Sequence, residues 1–313
     1  MKKIKLIGRI MTMILSSLLV VNCQNDDVMT TSDSQNSITD TQNTNSDSEP
    51  STTNTISLTA KNSNVTTEAA LTNAVANAVA GDIITISGTI RLTKTLQLLK
   101  SGTSSAKINL TGGVLDCSGI SGKSWGVKLN GSYWNVTNMT IKNAPDCGLV
   151  LQEGGYNYIY KITATGNKDS GIQIYNGAHH NTVSNCYSAE NFDTANGGEN
   201  ADGFACKLSG GPGNVFDSCT AYHNSDDGWD LYGQPYTVTI KNCKAQNNGF
   251  GGNGDGNGFK LGSASQKIPH TVTNNSATNN KAWGYDGNGN TGKITITGST
   301  ASGNSKGSFT RIY

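Results

Sequence analysis

The sequence predicts an all-β protein, a parallel β-helix in which short strands stack coil upon coil. Three observations support this prediction: a repeat of about 24 residues, an asparagine that recurs once per repeat, and a glycine-rich composition. The chain of 313 residues contains 38 glycines and 5 prolines, and charged residues make up only 14%. Because the Gly-X-Y period of collagen is absent, this composition fits many short strands joined by tight turns.

A column of asparagines makes the repeat visible. Their spacings are 24, 24, 33, 24, 32 and 24 residues, so two repeats carry insertions. A period of this length with short β-runs is typical of a solenoid in which each coil stacks on the last. An asparagine at a turn can bond backbone groups of its own coil and the next, so we expect an asparagine ladder. The column comprises Asn143, Asn167, Asn191, Asn224, Asn248, Asn280 and Asn304.

Three cysteines follow the same period. Cys186, Cys219 and Cys243 each lie five residues before a column asparagine. An exported protein could pair its cysteines, but a column repeated from coil to coil is better explained by small buried side chains, so we predict free thiols. A leucine-rich repeat has a similar period, but its Leu-x-x-Leu-x-Leu frame is missing.

Residues 1–22 have the pattern of an export signal. Basic residues precede the apolar segment 10–21, which is too short to span a bilayer comfortably. The segment 19–23, LVVNC, resembles a bacterial lipobox with Cys23 as the lipidated first residue, and residues 24–27 resemble the surface-export signal of Bacteroidota lipoproteins. We therefore expect a secreted lipoprotein at the outer-membrane cell surface. The alternative is an ordinary cleaved signal peptide.

The predicted domain follows a linker. Residues 23–55 are mostly Ser, Thr, Asn, Asp and Gln, which cannot bury enough apolar surface to become ordered, so we predict a flexible linker. Residues 56–313 are assigned to the β-helix. A helix predicted over Glu68–Ala80 would cap the open end of the first coil. A strand predicted over Asp82–Gly88 then begins the coils.

A second column, a glycine followed by an apolar residue, comes after each asparagine. Since side chains alternate along a strand, the first and third residues after the glycine face the core and the second faces outward. This outward column places Asp230 beside Lys260 on adjacent coils, and the residues just before the glycines place Asp202 beside Asp227. The outward column comprises Val150, Gln173, Ala205, Asp230, Lys260 and Asp286.

Four carboxylates are therefore predicted at one corner of two coils: those of Asp202, Asp226, Asp227 and Asp230. Like charges this close cannot all ionise without a cation. Hard oxygen ligands suit Ca²⁺, and the cluster lacks the His and Cys ligands that Zn²⁺ prefers. A Ca²⁺ that only stabilises the fold would leave the neighbouring Lys260 unexplained.

The surroundings of this cluster predict contact with a saccharide. The two insertions, Phe192–Ala201 and Gly249–Asn257, flank it and are expected to shape a binding surface. Lys207 and Tyr232 lie two residues beyond the outward column, so we expect both to face outward and to bind sugar. In a uronic acid polymer, a neutral Lys260 could remove the proton on C5 while Ca²⁺ stabilises the charge that develops on the carboxylate.

Three blocks of the sequence resemble polysaccharide lyase family 9: Asn200–Ala205, Ser225–Leu231 and Gly254–Gly262. The resemblance covers roughly residues 60–313. It implies a right-handed parallel β-helix and endo-acting pectate lyase activity. It also implies that the four aspartates named above bind Ca²⁺ and that Lys260 is the Brønsted base. Members of this family also attack rhamnogalacturonan.

The predicted partner is an acidic pectic polysaccharide, bound by a monomer that meets the membrane only through its lipid anchor. A net charge of +1 gives no global field that would favour nucleic acid. Two alternatives stay open: a rhamnogalacturonan I lyase that uses the same residues, and a non-catalytic surface protein that binds glycans. The second alternative is disfavoured because a protein that only binds has no need of Lys260 as a base.

Overall fold

The computed structural model describes residues 59–313, which form a parallel β-helix with two sheets of 17 and nine strands. The predicted signal segment, Cys23 and the whole of the predicted linker lie outside the described residues, so lipidation, export and the linker stay predictions. Within residues 59–313, no helix is long and apolar enough to cross a bilayer. Consecutive coils pair in parallel throughout, as the period of the sequence predicts.

The larger sheet contains the strands of two sides of each coil. Its strands, together with those of the smaller sheet in chain order, are β1 Asn62–Val65, β2 Ile83–Ile86, β3 Thr89–Arg91, β4 Leu96–Leu98, β5 Ile108–Thr111, β6 Val114–Asp116, β7 Val127–Leu129, β8 Trp134–Lys142, β9 Leu149–Gln152, β10 Tyr158–Thr165, β11 Ile172–Tyr175, β12 Thr182–Ser184, β13 Tyr187–Ala189, β14 Phe204–Cys206, β15 Val215–Asp217, β16 Thr220–Tyr222, β17 Trp229–Asp230, β18 Thr239–Lys241, β19 Lys244–Gln246, β20 Phe259–Lys260, β21 Thr271–Thr273, β22 Ser276–Thr278, β23 Trp283–Asp286, β24 Thr295–Thr297, β25 Thr300–Ser302 and β26 Gly307–Thr310. The smaller sheet consists of β4, β7, β9, β11, β14, β17, β20, β23 and β26.

Among residues 59–313 there is one α-helix, α1 (Glu68–Ala76), near the first coil, and a 3₁₀ turn follows at Cys117–Gly119. The α1 N-terminus is as predicted, because the Thr67 hydroxyl accepts a hydrogen bond from the Ala70 amide at 3.2 Å. The C-terminus comes four residues before the predicted Ala80, because the Asn77 side chain caps the helix by donating to the Asn73 carbonyl at 2.9 Å. Strand β2 occupies the centre of the predicted strand.

The smaller sheet stacks its coils through a row of aromatic rings in the core. Successive ring centroids lie 4.8 Å apart from Phe204 to Trp229, 4.7 Å from Trp229 to Phe259, and 4.9 Å from Phe259 to Tyr285. These distances match the spacing of paired strands. The rings occupy the first position after each column glycine, so the predicted inward direction is confirmed.

The column glycines are required because the backbone of the next coil lies directly against them. A Cβ atom added at Gly203, Gly228 or Gly258 would lie 2.8, 2.5 or 2.6 Å from the carbonyl oxygen of the glycine one coil on. Any side chain at these positions would push adjacent coils apart. The repeated glycine therefore reflects close packing between coils, and it keeps the outward column in register.

The asparagine ladder is confirmed, although it begins one coil later than predicted. The Oδ1 atom of a ladder asparagine accepts hydrogen bonds from the backbone amide and from the Nδ2 of the ladder asparagine one coil earlier. The Asn191 Nδ2, for example, lies 2.7 Å from the Asn224 Oδ1. The ladder runs through Asn167, Asn191, Asn224, Asn248, Asn280 and Asn304. Asn143 was wrongly assigned to the ladder: its φ is +60°, and its Nδ2 donates to Asp116. A second ladder, Asn157, Asn181 and Asn214, was not predicted.

The predicted free thiols are confirmed in the described part of the chain, where all six cysteines are buried and none of them forms a disulfide bond. Burial raises the pKa of the Cys186 and Cys219 thiols well above the ordinary value. The Cys243 thiol contacts the Cys219 amide at 3.4 Å, so these side chains stack coil on coil as weak polar groups inside the core.

His270 gives the fold a defined sensitivity to acid. Its imidazole is buried, its Nδ1 accepts from the Val238 amide at 3.2 Å, and burial lowers its pKa from 6.5 to about 4. The unfolded chain therefore binds more protons than the folded chain between these two pH values. The contribution of neutral His270 to the free energy of unfolding is fully present above pH 6.5 and is lost as the pH falls toward 4.

We predict that His270→Asn, which keeps a hydrogen-bond acceptor but does not titrate, will remove about 3 kcal/mol of the acid-induced loss of stability. The measurement is the free energy of unfolding in urea at several pH values, compared between wild type and variant. The exposed His180→Asn is the control and should leave the pH profile as it is. Parallel profiles for wild type and His270→Asn would contradict this assignment.

Candidate active site

Three adjacent coils bring the predicted site residues together. In β17 and β20 the residues Asp230 and Lys260 are direct partners across the sheet, as the outward column predicts. Asp202 and Asp227 each precede a column glycine, and the Asp202 carboxylate accepts from the Asp227 amide at 3.3 Å. All three aspartates are almost fully buried, at 0 to 4% exposure. The stacking of coils thus concentrates acidic groups that are up to 28 residues apart in sequence.

The four predicted carboxylates form two overlapping groups that share Asp227. Oxygens of Asp202, Asp227 and Asp230 lie within 4.8 Å of one another. Asp226 belongs to the second group, in which its carboxylate lies within the same distance of Asp227 and of a further residue, Asp255. The two groups together line one corner of the smaller sheet.

Lys207 lies among the carboxylates of the outward side. Its side chain is 10% exposed, and its Nζ lies 2.8 Å from the Asp202 Oδ2 and 3.2 Å from the Asp230 Oδ2. Two buried carboxylates attract the ammonium group into the cluster, and the expectation that Lys207 binds sugar stays a prediction. The Lys207 ammonium therefore balances part of the negative charge inside the cluster, where it pairs with Asp202 and Asp230.

Lys260 lies at the edge of the same cluster. Its Nζ is 3.5 Å from the Asp227 Oδ2, 4.0 Å from the Asp230 Oδ2 and 2.9 Å from the Asp255 Oδ2. The Lys260 side chain is 12% exposed, compared with 0% for Asp227 and 5% for Asp230. The Tyr232 ring, 43% exposed, has its centroid 5.8 Å from the same Nζ. Tyr232 is thus exposed beside Lys260, as predicted.

Asp226 joins the two insertions to the cluster. Its Oδ2 accepts from the Asn200 amide at 3.0 Å and its Oδ1 from the Asp255 amide at 2.6 Å, one amide from each insertion. The insertions also contact each other, since the Asn253 side chain donates to the Asn196 carbonyl at 2.7 Å. The predicted flanking position is confirmed, and one carboxylate fixes both loops beside the site.

The electrostatics of the cluster follow from burial and from two ammonium groups. Burial raises the pKa of Asp202 and Asp227 well above the ordinary value. Burial would also raise the pKa of Asp230, but Lys260 and Lys207 outweigh it and leave that pKa below the ordinary value. Burial would lower the pKa of both lysines, yet the surrounding carboxylates hold each pKa well above its ordinary value.

The residues present fit a hard divalent cation. Five carboxylates face two ammonium groups, so negative charge is in excess. The Asp227 Oδ2 is buried and accepts no hydrogen bond from any residue within the described range, although its Oδ1 accepts from the Asn257 amide at 2.6 Å. An all-oxygen donor set with an unused buried oxygen is the chemistry that Ca²⁺ requires.

Asp255 was missed as a site residue. It is the only charged residue of the Gly249–Asn257 insertion, and that feature could have marked it. Its side chain is 58% exposed, yet one oxygen pairs with Lys260. The alternation of strand residues could not identify it, because it belongs to a loop whose path depends on tertiary contacts.

Comparison with known proteins assigns the family. Residues 51–312 match the family described as Pel9A-like, right handed beta helix region. The chain belongs to this family. Its β-helix is therefore right-handed, as the resemblance to polysaccharide lyase family 9 implies.

Relatives of the chain carry pectate lyase names. Pectate lyase L of Paenibacillus polymyxa (strain SC2) is 41% identical over 204 residues, which cover 59% of this chain and 45% of that protein. Pectate lyase PEL9 of Emericella nidulans is 30% identical over 274 residues, covering 73% of this chain and 66% of that protein. The chain thus spans less than half the length of the first of these relatives.

A solved structure shares the architecture. The crystal structure of pectate lyase Pel9A matches with a TM-score of 0.67 and 32% identity, covering 72% of this chain and 61% of that chain. The structure of a rhamnogalacturonan lyase matches with a TM-score of 0.64 at 24% identity, covering 72% of this chain and 66% of that chain, which is evidence for the fold alone.

We predict that Lys207→Met will lower the free energy of unfolding by about 3–5 kcal/mol in the presence of a chelator, because the substitution leaves two buried carboxylates without their counter-ion. Added Ca²⁺ should stabilise the variant more than it stabilises the wild type, since the cation would balance the same charges. Urea unfolding with EDTA and with CaCl₂ measures both effects. Lys244→Met, at an exposed position, should change stability by less than about 0.5 kcal/mol. An equally small change for Lys207→Met would contradict the counter-ion role.

Proposed function

We propose that this protein is a Ca²⁺-dependent pectate lyase that cleaves polygalacturonate by β-elimination, with Lys260 as the base. One observation carries the proposal: the ammonium of Lys260 lies at the solvent edge of a buried carboxylate cluster, 3.5 Å from the Asp227 Oδ2. Membership of the Pel9A-like family and the names of the relatives support the choice of substrate class.

Lys260 has the position that a base on C5 requires. It projects from the outward column, it is partly exposed, and its neighbours on the cluster side are acceptors that cannot supply a proton when ionised. A substrate on the surface would meet its Nζ before it reached the aspartates. Lys260 acts in its neutral form and takes the C5 proton, and the electron pair of the C5–H bond forms a double bond between C4 and C5. The glycosidic oxygen leaves with the electron pair of its bond to C4 and takes a proton from solvent. The product is an unsaturated uronide.

The aspartates have a different task. Asp202, Asp226, Asp227 and Asp230 would hold the cation, with Lys207 limiting their mutual repulsion. When bound there, Ca²⁺ supplies positive charge that attracts the uronate carboxylate, stabilises the charge that develops on it, and offsets the carboxylates that raise the pKa of Lys260. None of these aspartates is exposed enough to contact a sugar ring directly.

Tyr232 and the insertions would orient the sugar. The Tyr232 ring is exposed next to the Lys260 ammonium, so its face can pack on a pyranose ring while the base acts on the neighbouring carbon. Asp226 fixes both insertions, which restricts the approach of the polymer to the side on which Lys260 is accessible. We therefore assign substrate contact to Tyr232, and we assign Lys207 to the cluster.

A direct assay tests this function. Purified protein is incubated with polygalacturonate and, separately, with rhamnogalacturonan I, each with CaCl₂ and with EDTA, and the ultraviolet absorbance of unsaturated product is recorded. We expect product from polygalacturonate that EDTA abolishes and that Ca²⁺ restores better than Mg²⁺, which requires stricter octahedral geometry. Product only from rhamnogalacturonan I would replace the proposed substrate. Binding of either polymer without product would indicate a glycan-binding protein.

The base is tested by two substitutions. Lys260→Ala should reduce turnover of polygalacturonate by about 10²–10⁴-fold, the usual contribution of a general base. Lys260→Arg should be nearly as inactive, because a guanidinium stays protonated at any working pH. Calorimetric binding of Ca²⁺ should persist in both variants, which separates loss of the base from loss of the metal site. Wild-type turnover in Lys260→Arg would show that the base lies elsewhere.

A further inference from the structure

A second charged pair lies one coil beyond Lys260. Asp286 follows Lys260 in the outward column, and the two are direct partners between β20 and β23. The buried Asp286 carboxylate accepts from the Arg311 Nε at 2.8 Å and forms a second, short contact with the Arg311 Nη2. The Asn288 amide also donates to it at 2.7 Å. Asp286 therefore holds the guanidinium by two parallel bonds.

Much of the Arg311 guanidinium is still free to bind something else. An arginine has five N–H donors, and Asp286 takes two of them. The side chain is 48% exposed, whereas the Asp286 side chain beneath it is 4% exposed. The pair thus has a buried acidic half and an accessible basic half, and it presents hydrogen-bond donors in a fixed orientation to the solvent.

The backbone also fixes Arg311. The Gly287 amide donates to the Thr310 carbonyl at 3.0 Å, and a Cβ atom added at Gly287 would overlap the Arg311 carbonyl oxygen. The last strand therefore lies tightly on the preceding coil at this point. Because the backbone and two side-chain bonds hold the guanidinium, little conformational entropy would be lost when it binds an anion.

The location of this guanidinium points to a ligand. Strands of adjacent coils lie about 4.8 Å apart, so a polymer that crosses Lys260 along the column reaches Asp286 on the next coil. Arg311 follows β26 on the coil after that, and its guanidinium extends back to Asp286. Lys260 thus pairs with the loop residue Asp255, while Asp286, its strand partner on the next coil, holds the guanidinium of Arg311.

We propose that Arg311, held by Asp286, binds the carboxylate of the uronate residue next to the one on which Lys260 acts. This inference rests on the proposed function and extends it to a second sugar position. A guanidinium recognises a planar carboxylate through paired hydrogen bonds, and it distinguishes a free carboxylate from a methyl ester, which is uncharged. Arg311 would therefore make the enzyme favour unesterified pectate at that position.

The test compares wild type, Arg311→Gln and Arg311→Lys on polygalacturonate and on highly methyl-esterified pectin. Arg311→Gln should raise KM for polygalacturonate roughly tenfold, with a smaller effect on kcat, because one charge-assisted contact is lost. On the esterified substrate the change in KM should be much smaller. The KM of Arg311→Lys for polygalacturonate should lie between the values of the wild type and Arg311→Gln. A single ammonium group cannot bond to Asp286 and to a substrate carboxylate at the same time. Lys306→Gln removes the same charge from an exposed position on the last coil and should leave both KM values unchanged.

A purely structural role for Arg311 would give a different pattern. The melting temperature would fall, while the ratio of KM values for the two substrates would stay as in the wild type, and that result would overturn the proposal. Binding is also measured without turnover, by calorimetry of trigalacturonate with Lys260→Ala and with Lys260→Ala/Arg311→Gln. Equal affinity in these two proteins would overturn it as well. If wild type forms no unsaturated product, the proposed function fails, and the calorimetric comparison still decides whether Arg311 binds a uronate.

Discussion

The site depends on the close, in-register stacking of coils in the smaller sheet. Column glycines leave no room for a Cβ between coils, and aromatic rings at 4.7–4.9 Å fill the core behind them. This packing fixes the spacing of the outward column, and it presses carboxylates from different coils into one buried corner. If the coils packed less closely, the aspartates would separate and become hydrated. Their attraction would then no longer hold the two lysines in their present positions.

Burying several carboxylates in one corner is unfavourable for the stability of the fold, and the groups around them offset part of this effect. Lys207 contributes a counter-charge inside the cluster, while backbone amides satisfy oxygens of Asp226, Asp227 and Asp230. One oxygen of Asp227 is left without a hydrogen bond among the described residues. Groups that are buried, charged and incompletely satisfied mark functional sites more often than stabilising ones. The same corner is therefore electrostatically strained in the absence of a cation, and it is the centre of the proposed chemistry.

Pairs of a partly exposed cation and an aspartate lie along the outward column, and this arrangement suits an anionic polymer. Lys260 in the column, and Arg311, which reaches Asp286 at its end, are partly exposed cations, and each is paired with an aspartate that is either buried or part of a loop. The pairs neutralise the surface overall, so the attraction for a uronate is local and directional. The net charge of +1 agrees with recognition through such positions and not through a general positive field.

The sequence by itself determined the coil period, the asparagine ladder, the free cysteine column and the neighbouring positions of Asp230 and Lys260. These features repeat, and strand alternation converts a repeat directly into a direction for each side chain. Only the tertiary structure decided the rest. Lys207 turned into the cluster because two carboxylates from different coils attract it, and Asp255 reached Lys260 because Asp226 fixes its loop. Long charged side chains and inserted loops are placed by long-range electrostatics and by contacts between coils, which have no period in the sequence.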